Sequence, residues 1–107
     1  MKFLVFTWPS PDAPKTLPSS ADFAAQIDWV RKLIAEGTIE TTYHGKGRAV
    51  FIFEAPSEQA LNRMLADIPL SDRMARSIEP LSDFFTHANG VIDHLRRAET
   101  SGGERKP

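Results

Sequence analysis

Two stretches of this chain have no side suited to water, and that restricts the fold more than any other feature. Residues 2–8 and 48–54 are rich in Phe, Val and Ile and are bounded by turn-forming residues, so both read as strands. Successive side chains of a strand point to opposite faces. The first strand offers Phe3, Val5 and Thr7 on one face and Leu4, Phe6 and Trp8 on the other, while the second offers Ala49, Phe51 and Phe53 against Val50 and Ile52. A sheet with one solvated face alternates apolar with polar residues, and these strands do not. Both faces of the sheet that holds them have to be covered.

The rest of the chain supplies the covering elements. Pro9, Pro11, Pro14 and Pro18 make residues 9–18 a stiff loop, since proline suits neither a helix interior nor a central strand. Ser19 with Asp22 resembles a capping box and opens a helix over 21–36, with Phe23, Ile27, Val30, Leu33 and Ile34 as its apolar stripe. Gly37 stops it, because glycine takes the left-handed conformation cheaply. Residues 38–44 read as a strand with Ile39, Thr41 and Tyr43 on one face. Gly45, Lys46 and Gly47 turn it into 48–54 as a hairpin. Ser57 caps a second helix carrying Leu61, Met64, Leu65 and Ile68, which Pro69 ends, and 74–81 forms a last strand. A weaker helical pattern over 84–97 runs through Phe84, Ala88, Val91 and Leu95, with Asn89-Gly90 in its middle. Residues 1–98 thus form one domain, and the small, polar 99–107 read as a disordered tail.

The order β-α-β-β-α-β is that of a ferredoxin-like α+β fold: a four-stranded antiparallel sheet, here with an extra C-terminal helix. Its first and third strands are central, and its two helices cover one face. The other face would be an apolar patch larger than a lone soluble chain usually exposes. A second copy of the sheet covers it most simply, giving a dimeric α/β barrel as a homodimer or higher homo-oligomer. The alternative is that the C-terminal helix folds back over that face.

Composition narrows the function. A net charge of −1 gives no basic footprint for nucleic acid. The chain has no cysteine, which excludes disulfides, thiolate catalysis and cysteine-ligated zinc. No apolar run is long enough to span a bilayer, and the start lacks the pattern of a signal peptide, so the expectation is a cytoplasmic protein that binds no membrane.

Residues 33–81 carry a resemblance. Glu36-Gly37-Thr38 leaves the first helix, a strand ends in Phe53-Glu54, Ala55-Pro56-Ser57 follows with Glu58, Ala60 and Leu61, and Ile68-Pro69-Leu70 precedes the last strand. In this order and spacing the segment resembles the muconolactone isomerase family. The resemblance implies a dimeric barrel that assembles further and a cofactor-independent isomerase that moves a proton next to the carbonyl of a small unsaturated lactone. Such chemistry needs a base and a group that steadies an enolate-like intermediate. Where the family carries a helix-one carboxylate this chain has Gln26, and near the family's hairpin histidine it has Lys46.

Among its own residues, His44 is the natural proton shuttle, Tyr43 offers a phenol to a ligand carbonyl, and Arg76 can meet a carboxylate. These three are the catalytic candidates. Gln26, Trp8, Arg48 and Trp29 are the ligand-binding candidates. Asp72-Arg73 reads as a solvated pair. His87 and His94 lie two helical turns apart, but the spacing is no known ligand motif, so no metal is expected. The expected partner besides a second copy is a small-molecule ligand. The competing functions are a cofactor-free oxygenase and a non-catalytic ligand-binding or assembly module.

Overall fold

The computed structural model describes residues 1–101. Strands β1 (Lys2–Pro9), β2 (Ile39–Gly45), β3 (Arg48–Glu54) and β4 (Met74–Leu81) form one antiparallel sheet in the order β2-β3-β1-β4. The two strands with no polar side are therefore the central pair. Pro80 is tolerated because β4 is an edge strand.

Helix α1 (Ser20–Ala35) starts where Ser19 Oγ accepts from the Asp22 N–H at 3.0 Å. It ends at Gly37, with φ +80°, where Thr38 N–H donates to Leu33 O and Gly37 N–H to Ile34 O. That pair of bonds is a Schellman stop. Helix α2 (Glu58–Ala66) begins with Ser57 Oγ accepting from the Ala60 N–H at 3.1 Å. It is a turn shorter than its apolar pattern, and Ile68 is buried just beyond its end. A short 3₁₀ turn, Ser71–Arg73, leads into β4.

One face of the sheet and the two helices enclose the core: Phe3, Val5, Ile39, Phe53, Ala55, Leu61, Leu65 and Ile68, with Trp29, Val30, Leu33 and Met64 packed against it. The inward side of α1 is thus Gln26, Trp29, Val30 and Leu33, at the 3–4–7 spacing of one helix face. Phe23, Ile27 and Ile34, expected in that stripe, lie on its flank and are exposed.

The hairpin turn has Lys46 at φ 55° and Gly47 at φ +76°, two left-handed residues in succession, which matches the twist of the flanking strands. A register shift separates Ile39 from Thr41, so Ile39 opposes Phe53 while Thr41 opposes Ile52 and Tyr43 opposes Val50. The extra residue, Glu40, sends its carboxylate to the Lys2 ammonium, and this hydrogen bond raises the Lys2 pKa. The bulge corrects the expected strand pattern: Ile39 faces the helices, and Thr41 and Tyr43 face the opposite side.

That opposite side is open. Leu4, Phe6, Trp8, Val50 and Ile52 remain half-exposed there. Helix α3 (Phe84–Ser101) does not cover it: Phe84, Phe85, Val91, Ile92 and Leu95 are all exposed. The helix is longer than expected and includes residues 99–101, assigned above to the tail; the rest of that tail, 102–107, lies outside the described residues. Asp83 caps α3, its Oδ2 accepting from the Thr86 N–H at 2.9 Å. Among the described residues no helix is long and apolar enough to cross a membrane.

Two stability predictions follow from this packing. Phe53→Ala empties a site in contact with two rings and should cost about 3–5 kcal/mol, whereas Leu17→Ala at an exposed loop position should change stability by less than about 0.5 kcal/mol, both read by urea unfolding. The Met1 ammonium, 2.6 Å from Glu54 Oε2, holds that carboxyl below its ordinary value of 4.5. The stabilisation is then complete above that value and lost as pH falls through the lower folded-state pKa, so Glu54→Gln should flatten the acid side of the stability profile.

Candidate functional site

A cavity of about 500 Å³ opens at the end of the sheet where β1 runs into the proline loop. Its origin lies in the size of paired residues on the helix-covered face. Along β1 and β3 the partners there are Phe3 with Phe53, then Val5 with Phe51, then Thr7 with Ala49. The side chains shrink toward the loop, and the space they leave is the cavity. Phe23 and Gln26 of α1 wall one side, Leu70, Arg73 and Met74 another, and the loop from Ala13 to Pro18 forms the roof.

The loop is held down from the far end of the chain. Ser10 N–H donates to Arg73 O at 3.0 Å, and the Arg73 guanidinium donates to Thr16 O. Arg73 is therefore a clamp on the cavity roof and not the solvated partner of Asp72.

One row of residues crosses the floor. His44 of β2 opposes Ala49 of β3, Ala49 opposes Thr7 of β1, and Thr7 opposes Arg76 of β4. Neighbouring strands are about 4.8 Å apart, so the His44 and Thr7 backbones are about 10 Å apart. The lining is mostly apolar, and its ionisable members are His44, Lys15 and Arg73; no Asp or Glu lines it. Two oxygens in the wall lack partners: Thr7 Oγ1 and Gln26 Oε1 are both buried and make no hydrogen bond. Among the described residues, no three of His, Cys, Asp and Glu are grouped so as to hold a metal ion.

Of the sequence candidates, His44 and Gln26 line the cavity, and Trp8 borders it where β1 ends, although its parity is that of the open face. Four do not. Tyr43 opposes Val50, which puts it on the open face, where it is 71% exposed. Arg48 shares the parity of Val50, so it also reaches the open face, with its guanidinium 5.4 Å from the centre of the Phe6 ring. Trp29 belongs to the core, its ring 6.4 Å from that of Phe53. Arg76 lies on the floor row, but its guanidinium donates to Asn62 Oδ1 of α2 at 3.2 Å. Thr7 and Lys15 were missed. Thr7 had a signal: it is the one hydroxyl in the row Phe3, Val5, Thr7. The signal in Lys15 is only its place in the loop.

The family model of muconolactone delta-isomerase matches residues 1–87. The crystal structure of a muconolactone isomerase is similar with a TM-score of 0.66, at 25% identity over 78% of this chain and 90% of its own. A 5-chloro-2-hydroxyhydroquinone dehydrochlorinase from Burkholderia phenoliruptrix AC1100, solved with 2,5-dihydroxybenzoquinone, has a TM-score of 0.55 at 19% identity, over 77% of this chain and 94% of its own. That second likeness is one of fold. No curated protein matches.

The roof depends on a single side chain, which makes it testable. Arg73→Ala should speed amide hydrogen exchange at the otherwise secured positions of the 10–18 loop by about tenfold and leave exchange in β1 and β3 unchanged.

Proposed function

The chain belongs to the muconolactone delta-isomerase family, and we propose that it is a cofactor-independent isomerase that moves a proton within a small unsaturated lactone or a related product of aromatic breakdown. The coarser statement, a catalytic or binding role toward a small molecule, rests on the family and on a cavity of the size that small ligands occupy. The finer one is carried by one observation: His44 shares a mostly apolar cavity with two cations and two unpartnered oxygens.

In this reading His44 takes a proton from carbon next to the lactone carbonyl and returns it to another carbon of the same conjugated system. The double bond moves, and no electron is gained or lost overall. Arg73 and Lys15 favour the negative charge that develops on the carbonyl oxygen. Gln26 forms hydrogen bonds but exchanges no proton at neutral pH, so the whole transfer falls to His44. The absence of carboxylates from the lining favours a second reading, in which the cavity binds without turnover.

The working form in this proposal is a homodimer or larger homo-oligomer in the cytoplasm. Leu4, Phe6, Val50 and Ile52 of one chain pack against the same residues of the next, which removes the half-exposed face from water. The exposed apolar residues of α3 extend the surface available to a neighbouring copy.

Two measurements bear on this. With a muconolactone-type substrate followed by ultraviolet absorbance, His44→Gln should lower kcat by about 10²–10⁴-fold and Tyr43→Phe should leave it unchanged. Binding with no turnover in the unaltered protein would decide for the second reading. In sedimentation, the protein should run as a dimer or larger, and Ile52→Lys should shift it to monomer; a wild-type monomer at high concentration would refute the assembly.

A further inference from the structure

The inner wall of the cavity holds an unmet demand for hydrogen bonds. Thr7 is 2% exposed and occupies the floor between Ala49 and Arg76. Its Oγ1 has no partner in a row that otherwise holds Phe3 and Val5. On the helix side, Gln26 Oε1 is buried and unpartnered as well. Buried polar atoms are nearly always bonded, and each exception calls for an explanation. Two exceptions in the wall of one cavity, one from the sheet and one from the helix, share an explanation: a ligand supplies what both lack.

The atoms specify the chemistry. Gln26 Oε1 is an acceptor, so it needs a donor and repels a carboxylate or carbonyl oxygen. Thr7 Oγ1 can donate or accept. A hydroxyl meets both, donating to Gln26 and accepting from Thr7. Phe23 and Leu70 supply apolar surface around it. Resting on the small-molecule reading of this cavity, we infer that the Thr7–Gln26 wall is a seat for a ring-bound hydroxyl of the phenol type, distinct from the carbonyl oxygen that faces Lys15 and Arg73. Thr7 and Gln26 then select for that hydroxyl, while His44, Lys15 and Arg73 meet the rest of the molecule.

The test uses two probes of nearly equal shape, 2-naphthol and 2-methylnaphthalene, titrated into the protein by NMR. The hydroxyl compound should bind about tenfold more tightly. Thr7→Val keeps the shape of the side chain and removes its oxygen. It should cut that preference severalfold, hold the affinity for 2-methylnaphthalene, and raise the melting temperature of the empty protein by about 2–4 °C, because the unbonded hydroxyl is gone. Thr7→Ser should retain the preference, and Gln26→Leu should reduce it if Thr7→Val does not fold. Equal binding of the two probes to the unaltered protein would overturn the hydroxyl seat and leave the small-molecule cavity standing. Binding of neither probe would overturn both.

Discussion

A strand shows alternate residues to opposite sides, and that parity sorts most of the side chains that matter in this molecule. The odd residues of β1 and β3 meet the helices, and the even residues of both meet the open face. Within the helix-covered set, size decides the rest. Where the paired residues are Phe3 and Phe53, α1 and α2 lie on them and form a close-packed core. Where the pair is Thr7 and Ala49, the same helices leave space, and the proline loop closes over it. Core and cavity are the two ends of one tapering row. A change at Thr7 or Ala49 to a bulkier apolar residue would extend the core at the expense of the site.

The order of elements was legible because its signals are local. Ser19 and Ser57 cap helices through their own side chains, Gly37 takes the left-handed stop, and the prolines forbid helix or ladder between β1 and α1. The sequence put His44 at the end of β2 beside the turn, and the hairpin register set by that turn pairs it with Ala49. What escaped the sequence was non-local. The bulge at Glu40 puts Ile39 on the opposite side from Thr41 and Tyr43, and the ion-pair partner of Glu40, Lys2, is 38 residues away. Arg73 finds the Thr16 carbonyl across 57 residues, and Arg76 finds Asn62 on a neighbouring helix. The long apolar stripe of α1 was legible as helical, but which edge of it faces inward depended on where the sheet lay.

The surface outside the core repeats the same physics with a different outcome. The open sheet face and α3 both carry apolar residues, yet α3, capped by Asp83, leaves its own Phe84, Phe85 and Leu95 in water. Neither surface shields the other within one chain. The matched family segment ends at residue 87, so most of α3 lies beyond it. The helix is thus an addition to the shared fold, and its apolar side has no use in a solitary chain, where hydration of such surface is unfavourable.

Charge in the cavity is arranged by depth. His44 and Lys15 are exposed and Arg73 is half-buried, so these groups stay close to water, where ionisation is cheap. Farther in, the two unpartnered polar atoms belong to a hydroxyl and an amide, and neither carries charge. An ionised carboxylate at position 26 would have to be desolvated in a mostly apolar wall or be paired, and the Gln26 oxygen there has no partner. The amide avoids that cost and keeps hydrogen bonding, but it gives up proton exchange. In the proposed reaction a ligand would meet a neutral, hydrogen-bonding inner wall and a rim holding Lys15 and Arg73, with its uncharged oxygen inward and the part that gains negative charge outward. In that proposed reaction the amide at position 26 leaves acid–base work to the hairpin, where His44 is the one imidazole of the lining.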